Sequence, residues 1–190
     1  MTRLVAALAV LLALAGCGVG KDAVDPSPGG ENRFVAGAGA PVRYAPADRI
    51  EAPRLRGEAV TGSAVDTAAY RGKVLVVNFW GSWCAPCRTE AETLEDIHRA
   101  TRADGVQFVG VNVRDAKDKA AAFERAYEVT YPSVYDDAGR VAVQFRKTPP
   151  VSTPATILVD REGRVATIFR RAVTYAELEA AVAALVAERA

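Results

Sequence analysis

Seven residues, Val74–Trp80 (VLVVNFW), do most to limit what this chain can become. The run is apolar except at Asn78 and rich in β-branched side chains. Such a run reads as a strand buried on both faces, so its sheet must be covered on both sides. Val106–Val113 (VQFVGVNV) is a second run of the same kind. Between them, Cys87, Ala91, Leu94 and Ile97 fall at helical spacing, which predicts a helix from Pro86 to about Ala103, ended by Asp104-Gly105. Further along, Asp118–Tyr127 reads as a helix, Ser133–Tyr135 as a short strand and Arg140–Phe145 as a short helix. Thr156–Asp160 and Val165–Phe169 flank the turn Arg161-Glu162-Gly163-Arg164 and read as an antiparallel pair. Thr174, with Glu177 three residues on, is a capping box opening a last helix that runs to about Glu188. A short edge hairpin is expected around Thr61-Gly62. The order predicts an α/β protein with a mixed central sheet: parallel strands joined by helical crossovers, then an antiparallel edge.

Composition narrows the function classes. The chain has 190 residues, with 24 Lys+Arg against 23 Asp+Glu and a formal charge of +1. That length suits one domain. The balance of charge offers no basic face of the kind nucleic acid requires. No apolar stretch reaches the roughly 18 residues of a membrane span.

The first segment reads as an address. Arg3 precedes the apolar run Leu4–Ala15, the pattern of a secretory signal peptide. Leu14-Ala15-Gly16-Cys17 resembles a bacterial lipobox, which puts the signal at residues 1–16 and a diacylglycerol on Cys17. Ala13-Leu14-Ala15 is the competing site for ordinary cleavage, which would leave a secreted soluble protein. Either way the expected location is extracytoplasmic. Residues 17–40 hold Pro26, Pro28 and several glycines, show no hydrophobic period and read as a flexible tether. The folded domain is expected over 41–190.

The chemistry is expected at Trp83-Cys84-Ala85-Pro86-Cys87. This C-x-x-C follows a buried strand and opens a helix, the setting of a redox pair. Unpaired N–H groups at the helix start favour the Cys84 thiolate, which is the nucleophilic form. Pro86 suits the first turn, where its missing N–H costs nothing. Cys87, one turn in and more shielded, is placed to resolve a mixed disulfide. A structural disulfide and half of a zinc site are the bland alternatives. Zinc needs two more ligands, and only His98 and Cys17 remain, so no metal is expected.

The motifs VLVVNFWGSWCAPCRTE (Val74–Glu90) and VSTPATILVDREGRV (Val151–Val165) resemble the thioredoxin superfamily, most closely its TlpA-like and ResA-like membrane-tethered branch. The resemblance implies a thioredoxin fold, a three-layer α/β/α sandwich with an inserted β-α segment, here about Asp115–Pro150. It implies a cis-proline facing the cysteines, matched by Pro154, with Pro149 and Pro150 as rivals farther from the strand, and the backbone of Thr153 open to a substrate chain. Trp83, with Ala85 and Pro86, is then expected to form the lip that meets substrate, and Trp80 to be core. Asn78 stands where thioredoxin itself is acidic. Glu90, at a position functional in ResA-like proteins, becomes the candidate for proton handling, against the plain reading of a solvated helix Glu like Glu92 and Glu95. His98 is expected at the surface or boundary. Lys147-Thr148-Pro149-Pro150 is an extra loop.

The implied function is an extracytoplasmic thiol–disulfide oxidoreductase with no cofactor beyond the Cys84–Cys87 disulfide. It would act as a monomer on exported protein disulfides, in related proteins often those of apocytochrome c, and a membrane electron-transfer protein would re-reduce it. A disulfide-forming oxidase of the same fold is the rival. A thiol peroxidase would need a P-x-x-x-T-x-x-C loop that the chain lacks, and a metal chaperone would need more ligands.

Overall fold

In the computed structural model, Val74–Trp80 is strand β5 of a mixed sheet, and every residue in it but Leu75 is buried. The structure describes residues 39–188. The expected signal peptide (1–16), Cys17 and the tether up to residue 38 lie outside that range. Strands β1 (Val42–Arg43), β2 (Ile50–Glu51), β3 (Arg56–Glu58) and β4 (Ala64–Asp66) precede β5. After it come β6 (Val106–Val113), β7 (Ser133–Asp136), β8 (Ala155–Val159) and β9 (Arg164–Phe169). The helices are α1 (Ala85–Thr101), α2 (Lys117–Ala126) and α3 (Tyr175–Ala187).

The sheet runs β1-β9-β8-β5-β6-β7, with β2 also on β9 and β3–β4 as a separate hairpin. β5 pairs in parallel with β6, and β6 with β7. β8 is antiparallel to β5, with Phe79 opposite Ala155, and β9 is antiparallel to β8. One end of the sheet therefore gathers the end of β5, the ends of β6 and β7, the start of β8 and the end of β9. That end carries the cysteines.

Strand alternation sorts the two faces. Val74, Val76, Phe108 and Leu158 meet Leu94 and Ile97 of α1 and Leu178, Val182 and Leu185 of α3. Trp80 continues this face and packs with Ala91 of α1 and with Ala120 and Phe123 of α2. Val77, Phe79, Val109 and Val111 point the other way. They are covered by Leu55, Ala59 and Val65 of the hairpin region and by Val141 and Phe145 after β7. Two right-handed crossovers in the same direction across the sheet place α1 and α2 on one face. The third layer is built from the hairpin and short 3-10 turns.

Most expected elements stand within two residues of their predicted bounds. Arg140–Phe145 is tighter than expected: only Ala142–Gln144 forms a 3-10 turn. The Thr174–Glu177 capping box is formed in both directions. Leu178, fully buried one residue past it, docks α3 on the sheet. Leu178→Ala is expected to cost about 3 kcal/mol, and Thr174→Ala about 1 kcal/mol, in chemical denaturation.

Candidate active site

The corner between β5 and α1 is built by hydrogen bonds that hold Gly81-Ser82-Trp83. Asp115, just past β6, accepts from the Ser82 amide at 2.6 Å and the Ser82 hydroxyl at 2.8 Å. The same carboxylate accepts from Asn112 Nδ2 at 3.0 Å. Trp83 Nε1 donates to the Val113 carbonyl at 3.3 Å. Its indole lies so close over Gly81 that a Cβ there would fall 2.5 Å from Trp83 Nε1. Gly81 thus lets the tryptophan fold back on the corner.

Cys84 is the N-cap of α1, and Pro sits in the first turn. A disulfide joins Cys84 to Cys87, with Cα atoms 5.3 Å apart. The Cys87 amide donates to Cys84 Sγ at 3.2 Å, so the helix start does point an N–H at the expected nucleophile. The two cysteines are nearly equally covered, at 3% and 2% exposure, rather than Cys87 alone being shielded. Over them the accessible surface comes from Ala85, which is exposed, and from Trp83 and Pro86, which are half-buried.

The Thr153–Pro154 bond is cis, the one such bond among the described residues. Pro154 directly precedes the β8 residue paired with Phe79, which sets it at the level where β5 turns toward the cysteines. Thr153 and Pro154 are buried. The Ser152 hydroxyl lies 2.7 Å from the Arg170 carbonyl, tying this segment to the end of β9.

Glu90 is not solvated: it is 1% exposed. Its Oε1 accepts from Asn78 Nδ2 at 2.9 Å, and its Oε2 from the Val173 amide at 2.8 Å. Asn78 Nδ2 also reaches Thr156 Oγ1 at 3.1 Å. Asn78 and Cys87 line one small cavity of about 10 Å³, closed by Trp80, Phe123 and Tyr131. Burial pushes the Glu90 carboxyl up to about 7, while the N–H groups of Val173 and Asn78 pull it back down. The group therefore changes charge near neutral pH, one helical turn from Cys87.

Two other expectations fail on burial. Glu95 is buried, not solvated; it accepts from the Thr130 amide at 2.9 Å and the Thr130 hydroxyl at 2.7 Å. His98 is buried too, with its ring 5.3 Å from Phe108 and 5.4 Å from Tyr131. Burial lowers the pKa of its imidazole. Ala91, Leu94, Glu95 and His98 share the sheet-facing stripe of α1, a spacing that already signalled burial. Sequence reasoning missed Asp115 altogether. The polar Asn-x-x-Asp at the end of a buried strand was its only trace.

A model of the AhpC/TSA family matches residues 48–168. The chain belongs to the AhpC/TSA family. This family member is 30% identical over 124 residues to the thiol-disulfide oxidoreductase ResA of Bacillus subtilis, an alignment covering 65% of this chain and 68% of ResA. Two solved structures align with the whole of their own chains. A DsbF homologue from Corynebacterium diphtheriae has a TM-score of 0.73 and 35% identity over 83% of this chain. A secreted thiol-disulfide isomerase from Corynebacterium glutamicum has 0.74 and 33% over 84%. This AhpC/TSA member is a thioredoxin-like thiol–disulfide oxidoreductase.

Removing Asp115 leaves Ser82 and Asn112 without their shared acceptor. Asp115→Ala is expected to cost about 2–3 kcal/mol and to shift the Trp83 fluorescence. The Glu90 carboxyl titrates at 4.5 when unfolded and at about 7 when folded, so the folded state holds the proton that the unfolded state has lost. Its stabilising contribution is present below the unfolded value and is lost as pH rises through the folded one. Relative to Glu90→Gln, the oxidised protein should lose about 3 kcal/mol of stability from acid to mildly alkaline pH. Urea unfolding of both proteins across that range checks the slope.

Proposed function

We propose that the chain is a disulfide reductant for exported proteins, working outside the cytoplasm from a lipid anchor on Cys17. The observation that supports thiol–disulfide exchange at this pair is the Cys87 amide aimed at Cys84 Sγ from the start of α1. In the reduced protein that N–H, with the other unpaired amides of the first turn, favours the Cys84 thiolate. The thiolate attacks a substrate disulfide, forms an S–S bond to one substrate sulfur and expels the other as thiolate. Cys87 then attacks Cys84 Sγ, the mixed S–S bond breaks, the substrate sulfur that was bonded to Cys84 leaves as a thiolate, and the Cys84–Cys87 disulfide remains. Two electrons have passed to the substrate, and a membrane electron-transfer protein returns them. Trp83, Ala85 and Pro86 are the surface that meets the substrate chain; the Thr153 side chain is buried, so only its backbone, beside Pro154, is offered to pair with that chain.

Glu90 supports the reducing direction. An ionised carboxylate under the cysteine helix disfavours a second negative charge nearby, which destabilises the thiolates relative to the disulfide. It also offers a proton acceptor near Cys87 as the dithiol is consumed. The thiol pair of apocytochrome c, kept reduced for haem attachment, is the substrate favoured by the resemblance to ResA.

The test is the reduction potential of the full chain in thiol–disulfide buffers. A value below about −220 mV is expected; a value near about −120 mV would make the chain a disulfide-forming oxidase instead. Cys84→Ser should abolish exchange, and Cys87→Ser should accumulate mixed disulfide with substrate. A Glu90→Gln potential higher than that of the unaltered protein would assign the carboxylate its role. Normal c-type cytochrome levels after deletion would exclude apocytochrome c as the substrate.

A further inference from the structure

The extra loop beside the cis-proline is absorbed by none of the chemistry above. It joins the end of β7 to the start of β8, so both of its ends lie at the cysteine-bearing end of the sheet. Between Asp137 and Asp160 the chain carries Arg140, Arg146 and Lys147 and no acid. All three side chains are exposed, and among the described residues none of them is in an ion pair. Two apolar side chains stand exposed with them: Val143 at 69% and Val151 at 60%.

The loop is fixed from beneath. Phe145 is buried and meets Phe79 of β5 edge-on, with ring centroids 5.5 Å apart. Thr148 and Pro150 are buried as well, and the Thr148 amide donates to the Phe145 carbonyl at 3.1 Å. Arg170 Nε donates to the Pro149 carbonyl at 3.3 Å, which brings a further guanidinium to this rim. Inward residues thus alternate with the outward set Val143, Arg146, Lys147 and Val151. That set leads directly into Ser152-Thr153-Pro154.

Charges on the same rim do not cancel the loop. Arg88 of α1 is exposed and donates to a backbone carbonyl, that of Ser82. Asp136 is buried and occupied by the amides of Arg140 and Val141. Asp115 is taken up by Ser82 and Asn112. Asp118, Glu128 and Asp137 are the exposed acids between β6 and β8. With a formal charge of only +1 for the whole chain, this cationic rim is local and not a share of a general excess.

We infer that the Arg140–Val151 loop selects the partner: it draws in segments that carry acidic side chains and at least one apolar side chain near their disulfide. The inference rests on the exchange reading above and names the substrate class for that site. The cations speed the encounter and orient the incoming chain, and Val143 and Val151 give its apolar side chain a dry contact.

Two disulfide-bonded peptides sharing one leucine, flanked by glutamates in one and lysines in the other, provide the test. Rates of their reduction by the full chain, each divided by its rate with dithiothreitol, give the preference free of the peptide's own reactivity. At low salt the acidic peptide should react about tenfold faster. High salt should erase the preference, and the double variant Arg146→Glu/Lys147→Glu should abolish or reverse it. Equal normalised rates, or a preference that survives the double variant, overturn the inference. If neither peptide is reduced, the exchange reading fails by itself. Cysteine-to-serine peptides titrated against the protein by NMR then decide the loop separately: acid-selective shifts at Arg146–Val151 sustain it, and equal binding ends it. Sedimentation with phosphatidylglycerol vesicles, lost in the double variant and without any peptide preference, would assign the loop to a lipid surface and overturn the inference as stated.

Discussion

The site is organised around one carboxyl group held out of water. Glu90 lies on α1, yet its two oxygens are satisfied from β5, through Asn78, and from the segment that leads into α3, through Val173. Asn78 extends the link to Thr156 of β8. A carboxylate is costly to bury, and these donors compensate only in one arrangement of the elements that supply them. Strand, cysteine helix, cis-proline strand and final helix are therefore held in register by a polar contact inside an otherwise apolar layer. The same contact leaves a group that titrates close to neutrality beneath the disulfide.

The cysteine corner is held from the other side by Asp115. A carboxylate that gathers Ser82 and Asn112 ties the turn after β5 to the end of β6. Trp83 folds back over Gly81 and reaches Val113 on the same strand. Two neighbouring parallel strands thus fix the approach to α1, and the helix start can aim its amide at Cys84. The geometry is set before a substrate arrives, so its ordering cost is met in folding and not in binding.

Much of this was legible in the residues. Unbroken apolar runs marked β5 and β6 because a strand covered on both faces has no polar side to show. The C-x-x-C and Thr174 marked the helix starts because backbone N–H groups there need particular partners. Strands β1 and β2 gave no signal, since two residues cannot display a period; β9 recruits them as edge partners. Glu95 and His98 were misjudged because polarity was weighed above spacing. Their place on the stripe of Ala91 and Leu94 buries them, and Thr130 and the ring stack beside Phe108 make that tolerable. Glu90 was singled out by family likeness, but its partner Val173 lies far along the chain, where no local pattern points to it. Asp115 depends on a long-range turn in the same way.

Strand β1 begins at the cysteine end of the sheet, where Val42 pairs with Ile168, and Arg171 Nε holds the Gly39 carbonyl at 3.0 Å. The first described residues, from Gly39, therefore lie at the reactive end of the sheet and not at its far pole. Under the proposed anchor at Cys17, that end would be the point of attachment, the part of a tethered body that tumbling displaces least. Rotation would then sweep the opposite end through the widest arc, whereas the disulfide would stay within a short radius of that point. A partner held on the same support would meet the cysteines in most orientations of the domain.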